Sequence, residues 1–436
     1  PTGGGPRPGA DSVRDGRFVT DRPGPPPAAD PDDADPDNAD PDNADPDAMA
    51  PARRRRRWLR WAALGVAALV LAAGGTGWWL YHQLDGNIRT DTDTARELAR
   101  YESERPVAAV AGARNILLIG SDSRGGGNGE YGEDNGTQRS DTAILLHLAA
   151  DRHGATAVSL PRDLMTEIPR CRKPDGTQLE AQFAPFNRAY EAAGTACTIR
   201  TVETLTGIRV DHHVIVDFTG FKKLVDAVDG VEVCLRSPID DRKAHLRLPA
   251  GTQTLRGEQA LGFVRARYSM GDGSDTDRMG RQQEFLGSLV KKMQSDGVLL
   301  NPVRLYPVLD AATSSLTTDA GLDTLRKLYD LVREVRGIPA GGVQFMTVPR
   351  RPYAYNSDRD ELVEPDARRL FDALRNDRTV SVVKQIRTQD GGPRGGGKSP
   401  GPSSGPGTPR TPSPRASQPG AGPTYEGTTA EQDVCK

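Results

Sequence analysis

The chain has 436 residues, and its 57 Lys and Arg nearly balance 59 Asp and Glu, leaving a formal net charge of −2. No bulk positive field is available to hold nucleic acid. The four cysteines show no zinc-ligand spacing, so a zinc-stabilised module is also excluded.

Residues 1–52 are mostly Pro, Gly, Asp and Ala, with near-identical pentads in "ADPDDADPDNADPDNADPDA". They lack the aromatic and branched apolar content that offsets chain entropy, and read as a disordered acidic tail. Residues 53–83 hold Arg53–Arg57 and Arg60, then a run from Trp61 to Tyr81 without a charged residue. A helix needs ~20 apolar residues to cross a bilayer. Trp58 and Trp61 at one end, with Trp78, Trp79 and Tyr81 at the other, resemble aromatic belts. The arginines predict a cytoplasmic N-terminus and place the downstream chain outside the cell membrane. Residues 84–103 read as a linker, and 104–386 as one large α/β domain. Residues 387–436, rich in Gly, Pro and Ser, read as a second disordered tail, with no recognisable second domain. An external domain suits disulfides, and Cys171 with Cys197, or Cys234 with Cys435, are candidate pairs.

Within 104–386, "NILLIG", "TAILLHL" and "ATAVSL" are continuous apolar runs. They predict strands covered on both faces, the third stopped by Pro161. "FNRAYEAAG" and "TIRTVETLTG" predict helices, the second ending at Gly207. "HHVIVDF" predicts another central strand, with His212 and His213 as strand-entry residues rather than ligands. "TGFKKLVDAVDG" predicts the helix after it. "RMGRQQEFLGSLVKKMQ" repeats Leu286, Leu289, Val290 and Met293 at helical spacing. "AGLDTLRKLYDLVREVRG" repeats Leu322, Leu325, Leu328 and Val332, with Gly337 as a stop. "VQFMTVP" reads as a last strand, and "EPDARRLFDALRND" as a closing helix with Pro365 near its first turn.

Charged residues recur where predicted strands end: Asp122 and Arg124, Arg139 and Asp141, Arg162 and Asp163. In open α/β sheets that edge carries ligands. "VRARYSMGDGSDTDRMGRQQ" adds Arg265, Arg267, Arg278, Arg281 and Gln282, with Arg278, Arg281 and Gln282 on one face of a helix start. Guanidinium forks fit paired phosphate oxygens, and a helix N-terminus adds N–H groups and partial positive charge. Asp122 and Asp141 suit magnesium, which takes one or two carboxylates beside substrate phosphates. A diphosphate is the ligand this mixture predicts. Taken singly, a pair such as Arg162 and Asp163 reads as an ordinary salt bridge, and "GSDSRGGG" lacks the lysine and serine of a phosphate loop.

"NILLIGSDSR", "RSDTAILLHL", "VSLPRDL", "HHVIVDFTGFKKLVDAVDGVEV" and "LRGEQALGFVRARYSMGDGSDTDRMGRQQ" resemble, in order, the motifs of the LytR-CpsA-Psr family. The resemblance covers most of Asn115 to Met293. It implies a three-layer α-β-α fold with a central mixed sheet and a pocket for a polyprenyl pyrophosphate. It implies a magnesium-dependent phosphotransferase that moves a glycopolymer from that lipid to peptidoglycan. By motif, Asp122 and Asp141 match the metal-associated aspartates. Arg139, Arg162, Arg265, Arg267, Arg278 and Gln282 match the pyrophosphate set, with Asp122, Asp141, Arg139 and Arg162 at the reacting centre. Arg124 and Arg281 are added on position and chemistry. The glycine-rich stretch "GGGNGEYGEDNGTQ" departs from the pattern in length.

The expected reaction is attack of a peptidoglycan hydroxyl on the glycan-side phosphorus, releasing polyprenyl phosphate. The partners implied are the lipid-linked glycopolymer, peptidoglycan and membrane lipid, and no nucleic acid. Three other readings stand beside this one: a pyrophosphatase that uses the same residues with water as acceptor, a non-catalytic lipid-glycan binder, and a transcriptional regulator. The last has no helix-turn-helix signal to support it.

Overall fold

The computed structural model describes residues 50–121, 140–173, 175–266, 275–295, 302–383 and 423–432, with the side chains of 50–54, 141, 275–277, 295 and 302–304 excepted. The basic and apolar N-terminal segment forms one helix, Ala50–Gly86. Its Arg55–Gly86 part is long and apolar enough to cross a membrane. Trp58, Trp61, Leu69, Leu71 and Trp78 all stand exposed on it.

The apolar runs become a mixed sheet, nine strands among the described residues. In spatial order these are Arg89–Thr90, Leu316–Thr318, His212–Asp217, Arg114–Ser121, Ser140–Leu148, Ala155–Leu160, Val343–Thr347, Thr424–Thr429 and Ser381–Val383. Arg114–Ser121 runs antiparallel to Ser140–Leu148 and parallel to His212–Asp217. Because side chains alternate along a strand, one run feeds two cores. Leu117, Ile119, Leu145 and Val158 meet Leu98, Ile199, Val202, Leu370 and Phe371 on one face. Ile116, Ile144 and Ala157, on the other, meet Leu286, Val290, Leu328 and Leu331. Helices Thr92–Arg100, Asn187–Thr206 and Asp366–Arg375 therefore cover the first face, and Asp275–Ser295 and Leu325–Arg336 the second. This is the three-layer α-β-α arrangement expected.

The two helices expected at 186–207 form one element broken at Ala193 and Gly194, where Gly194 takes φ 72°. Gly207 closes it in the left-handed region at φ 65°. Cys197, just past the break, is bonded to Cys171. Cys234 is also disulfide-bonded, while Cys435 lies outside the described residues.

Three expectations fail, and one segment carried none. The stretch 84–103 is no plain linker: Arg89–Thr90 joins the sheet edge, and Leu98 enters the core. The segment 228–256, unassigned from the sequence, forms hairpins Val231–Leu235 with Gly251–Leu255 and Ile239–Asp241 with Leu246–Leu248. Val343–Thr347 is not the last strand. Nor is all of 387–436 structureless, because Thr424–Thr429 inserts between Val343–Thr347 and Ser381–Val383. The edge strands depend on pairing between residues far apart in sequence, and the hairpins on strands too short to show a period.

The adjacent histidines join the sheet to its edge rather than to a metal. His212 Nδ1 lies 3.1 Å from Asp319 Oδ1, and His213 Nε2 3.4 Å from Asp91 Oδ2. Burial pushes the Asp91 carboxyl up, but His213 and the hydrogen bonds from the Thr94 N–H and hydroxyl outweigh it, and its pKa falls from 3.8 to about 2. A lowered carboxylate stabilises the fold above its unfolded value and loses that contribution as pH falls through its folded value. Denaturant unfolding should therefore show about 2 kcal/mol of stability disappearing between pH 4 and pH 2, and Asp91→Asn should flatten that segment of the profile.

Candidate functional site

Three parallel strands end together. Arg114–Ser121 and His212–Asp217 finish side by side, with Ser121 opposite Asp217, and Ala155–Leu160 finishes against Ala143. Ser140–Leu148 starts at the same edge, where a register shift at Gly120 and Ser121 interrupts the ladder. Beyond these ends lies a cavity of about 450 Å³, within the ~300–1,000 Å³ typical of ligand sites.

One wall is the sheet face carrying Leu118, Ile144 and Val216. The opposite wall comes from helices Phe218–Ala227 and Gly257–Arg265 and the Ile239–Asp241 hairpin, which share a third core around Val225, Leu246, Phe263 and Phe285. Gly262 lets that helix and hairpin close up, since a Cβ there would meet Ala244 O at 2.9 Å. The third wall is helix Asp275–Ser295. Arg278, Gln282, Phe285, Leu286 and Leu289 all line the cavity from it, and their i, i+4, i+7, i+8, i+11 spacing puts them on one helical face. Eleven residues at 1.5 Å each carry that face about 16 Å from a cationic start to an apolar end.

The polar end gathers Arg162, Lys243, Arg265 and Arg278 against the carboxylates of Asp217 and Asp241. Arg278 is buried, at 5% exposure. Arg265 lies over the Phe218 ring, its Cζ 4.6 Å from the centroid, so an aromatic face holds the guanidinium at the rim. Arg162 Nε donates to Asp163 at 3.2 Å, and Arg359 pairs with the other oxygen of that carboxylate. The salt-bridge reading of Arg162 and Asp163 and the lining of the cavity by Arg162 are both true. Gln282 Nε2 donates to Val264 O at 3.1 Å and Thr142 Oγ1 at 3.3 Å, tying the helix to two other walls.

Both described carboxylates are committed to backbone N–H groups. Asp217 caps helix Phe218–Ala227 by accepting from Gly220 N at 2.6 Å. Asp241 Oδ1 accepts from the amides of Lys243 and Ala244, each at 3.0 Å. Among the described residues no three of His, Cys, Asp and Glu gather as a metal site. This donor set by itself does not fit a divalent cation.

Of the residues predicted from sequence, the cavity brings together Arg162, Arg265, Arg278 and Gln282. Arg281 is not among its lining. It is buried and donates to Ala266 O, pinning the chain that leaves helix Gly257–Arg265. Asp122, Arg124, Arg139 and Arg267 lie outside the described residues, as does "GGGNGEYGEDNGTQ"; Asp141 falls in strand Ser140–Leu148 with its side chain undescribed. Sequence reasoning missed Lys243, whose hairpin gave no periodic signal. It also missed the apolar lining, because Phe221, Leu286 and Leu289 have the spacing of ordinary core residues.

A mostly apolar cavity that also carries Arg162, Arg265 and Arg278, at the carboxyl ends of parallel strands, is where α/β proteins place their ligand sites. The chain belongs to the LytR_cpsA_psr family, whose model matches residues 84–376. It is 32% identical over 311 residues to cell wall biosynthesis protein LcpA of Corynebacterium glutamicum, covering 65% of this chain and 58% of that protein. It is 36% identical over 278 residues to probable cell wall biosynthesis protein LcpB of the same organism, covering 62% of each. The chain thus spans about three-fifths of the length of these two relatives. Polyisoprenyl-teichoic acid–peptidoglycan teichoic acid transferase TagT of Bacillus subtilis is 27% identical over 294 residues, covering 66% of this chain and 85% of TagT. Among solved structures, a LytR-Csp2A-Psr enzyme from Actinomyces oris superposes with a TM-score of 0.49 at 23% identity, over 62% of this chain and 93% of that one.

A buried arginine and a rim arginine separate by role. Arg281→Ala leaves the Ala266 carbonyl without its charged donor and should cost about 1.5–3 kcal/mol in thermal unfolding. Arg265→Ala, at the rim, should stay within ~0.5 kcal/mol of the parent.

Proposed function

We propose that the chain is a membrane-anchored phosphotransferase that moves a glycopolymer from a polyprenyl-pyrophosphate carrier to a peptidoglycan hydroxyl. What supports this is one cavity in which an apolar channel leads to Arg162, Arg265, Arg278 and Gln282. The prenyl chain occupies the apolar length beside Phe221, Phe285 and Leu289, and the diphosphate sits among the guanidinium groups. A neutral sugar would offer those guanidinium groups no anionic oxygens to grip.

The acceptor oxygen forms a bond to the glycan-side phosphorus while the bond to the bridging oxygen breaks. Polyprenyl monophosphate leaves, and the hydroxyl gives up its proton. Catalysis is mostly positioning and charge neutralisation, since phosphoryl transfer asks little covalent chemistry of the protein. Arg278 near the first turns of helix Asp275–Ser295 adds to the partial positive charge of the helix terminus. Asp122 and Asp141 would hold magnesium, which when bound supplies further neutralisation of the diphosphate.

The positive-inside rule sets the domain outside the cell, where wall polymer and acceptor meet. Helix Ala50–Gly86 keeps it beside a donor confined to the same bilayer and so raises the donor's effective concentration.

The test is release of polyprenyl phosphate, coupled to polymer attachment, by the full chain with a lipid-linked oligosaccharide and peptidoglycan. Arg162→Ala and Arg278→Ala should each lower the rate by at least about 100-fold. Arg278→Lys should recover only part of it, because the two-pronged guanidinium is lost. Parent-like rates in these variants would defeat the assignment. Chelation should abolish release and magnesium restore it, with Asp141→Asn raising the half-saturating magnesium at least about tenfold.

A further inference from the structure

Two hairpins fan out from the segment that follows Arg162. Strand Met165–Ile168 pairs with Gln182–Pro185, placing Phe183 opposite Glu167. The Asp360 amide donates to Asp163 O at 3.1 Å, fixing the hairpin of Arg350–Tyr353 and Asn356–Leu362 beside the same segment. Asp360 faces Pro352 across this hairpin, and Tyr353 follows Pro352. An unbroken path thus runs from the arginine at the cavity mouth, through Asp163, to the hairpin tip.

At that tip three rings form a row. Tyr353 stands in the middle, its centroid 6.1 Å from Phe183 and 5.4 Å from Tyr355, with planes inclined by 55° and 58°. Phe183 is 50% and Tyr355 88% exposed. Single exposed apolar side chains are commonplace, but two exposed rings clustered about a half-buried third, carried by two separate hairpins, form a patch that invites a partner. Polar forks border them: the Arg351–Glu361 pair at 2.7 Å on one hairpin and Arg170–Glu180 at 3.3 Å beside the other.

We propose that Phe183, Tyr353 and Tyr355 form a stacking platform for the glycan strand of the peptidoglycan acceptor. Pyranose rings present C–H faces that lie on aromatic rings and equatorial hydroxyls that bond to carboxylate and guanidinium forks. This surface offers both, with one ring after another along its length. The inference rests on the transferase reading, and that reading creates the need for it. The donor is already held by its lipid, whereas the acceptor has no tie to the cavity and must be oriented by a site of its own. A bilayer surface fits less well, because Arg350, Arg351 and Arg359 are offset by Asp358, Asp360 and Glu361 on the same hairpin, which leaves no net positive charge to draw it to anionic lipid.

The experiment uses the full chain in detergent and reads three quantities separately: co-sedimentation with insoluble peptidoglycan sacculi, binding to vesicles carrying a polyprenyl-diphosphate oligosaccharide, and polymer transfer. Phe183→Ala with Tyr355→Ala should weaken sacculus binding by about tenfold while vesicle binding stays at the parental level. Tyr355→Ala alone, at the most exposed ring, should give a smaller loss and guards against misfolding of the double variant. Tyr355→Trp should retain binding. Unchanged sacculus binding in the double variant overturns the platform, and so does a loss confined to vesicles, which would mark a membrane contact. If the parent binds sacculi through these rings yet transfers no polymer, the platform stands and the transferase reading falls. Loss of transfer in Arg278→Ala with intact sacculus binding keeps the two sites distinct.

Discussion

The organisation of the site depends on one helix face that changes character along its length. On Asp275–Ser295, Arg278 and Gln282 stand near the start, and Phe285, Leu286 and Leu289 continue the same face. The helix terminus that carries the arginine also carries the positive end of the peptide dipoles, so both fields add at one end of that face. The remaining walls supply complementary halves: apolar strand residues below, and a small core of helices and hairpins beyond. Without Gly262 allowing that core to approach, the apolar part would open to water.

Much of this was legible in the chain. Continuous apolar strands, helix stops at Gly207 and Gly337, and Arg162 just past a strand end are local signals, and local signals survive folding. What escaped depends on partners distant in sequence or on strands too short to show a period. The Ile239–Asp241 hairpin is too short and polar to stand out, yet it brings Lys243 to the cavity. Arg281 shows the limit of a helical wheel. It lies about 60° round the axis from Arg278, close enough to be grouped with it on paper. In the fold that rotation turns it toward Ala266 O rather than into the cavity.

The salt bridges near the mouth have a comparable double use. Asp163 holds Arg162 on one side and Arg359 on the other, so an arginine that lines the cavity is also steadied by a neighbouring hairpin. A guanidinium fixed in this way loses less rotamer freedom when it meets an anion. Stability and recognition therefore share side chains here, and substitutions around Asp163 would alter both.

The strand Thr424–Thr429 has a consequence for the order of events in biogenesis. It lies between Val343–Thr347 and Ser381–Val383, and among the described residues the latter pairs with no other strand of the sheet. A ribosome delivers this segment after every other strand described, so one margin of the sheet must wait, its backbone groups unpaired, until that piece arrives. Until then that margin is an open sheet edge, the condition under which nascent chains mispair.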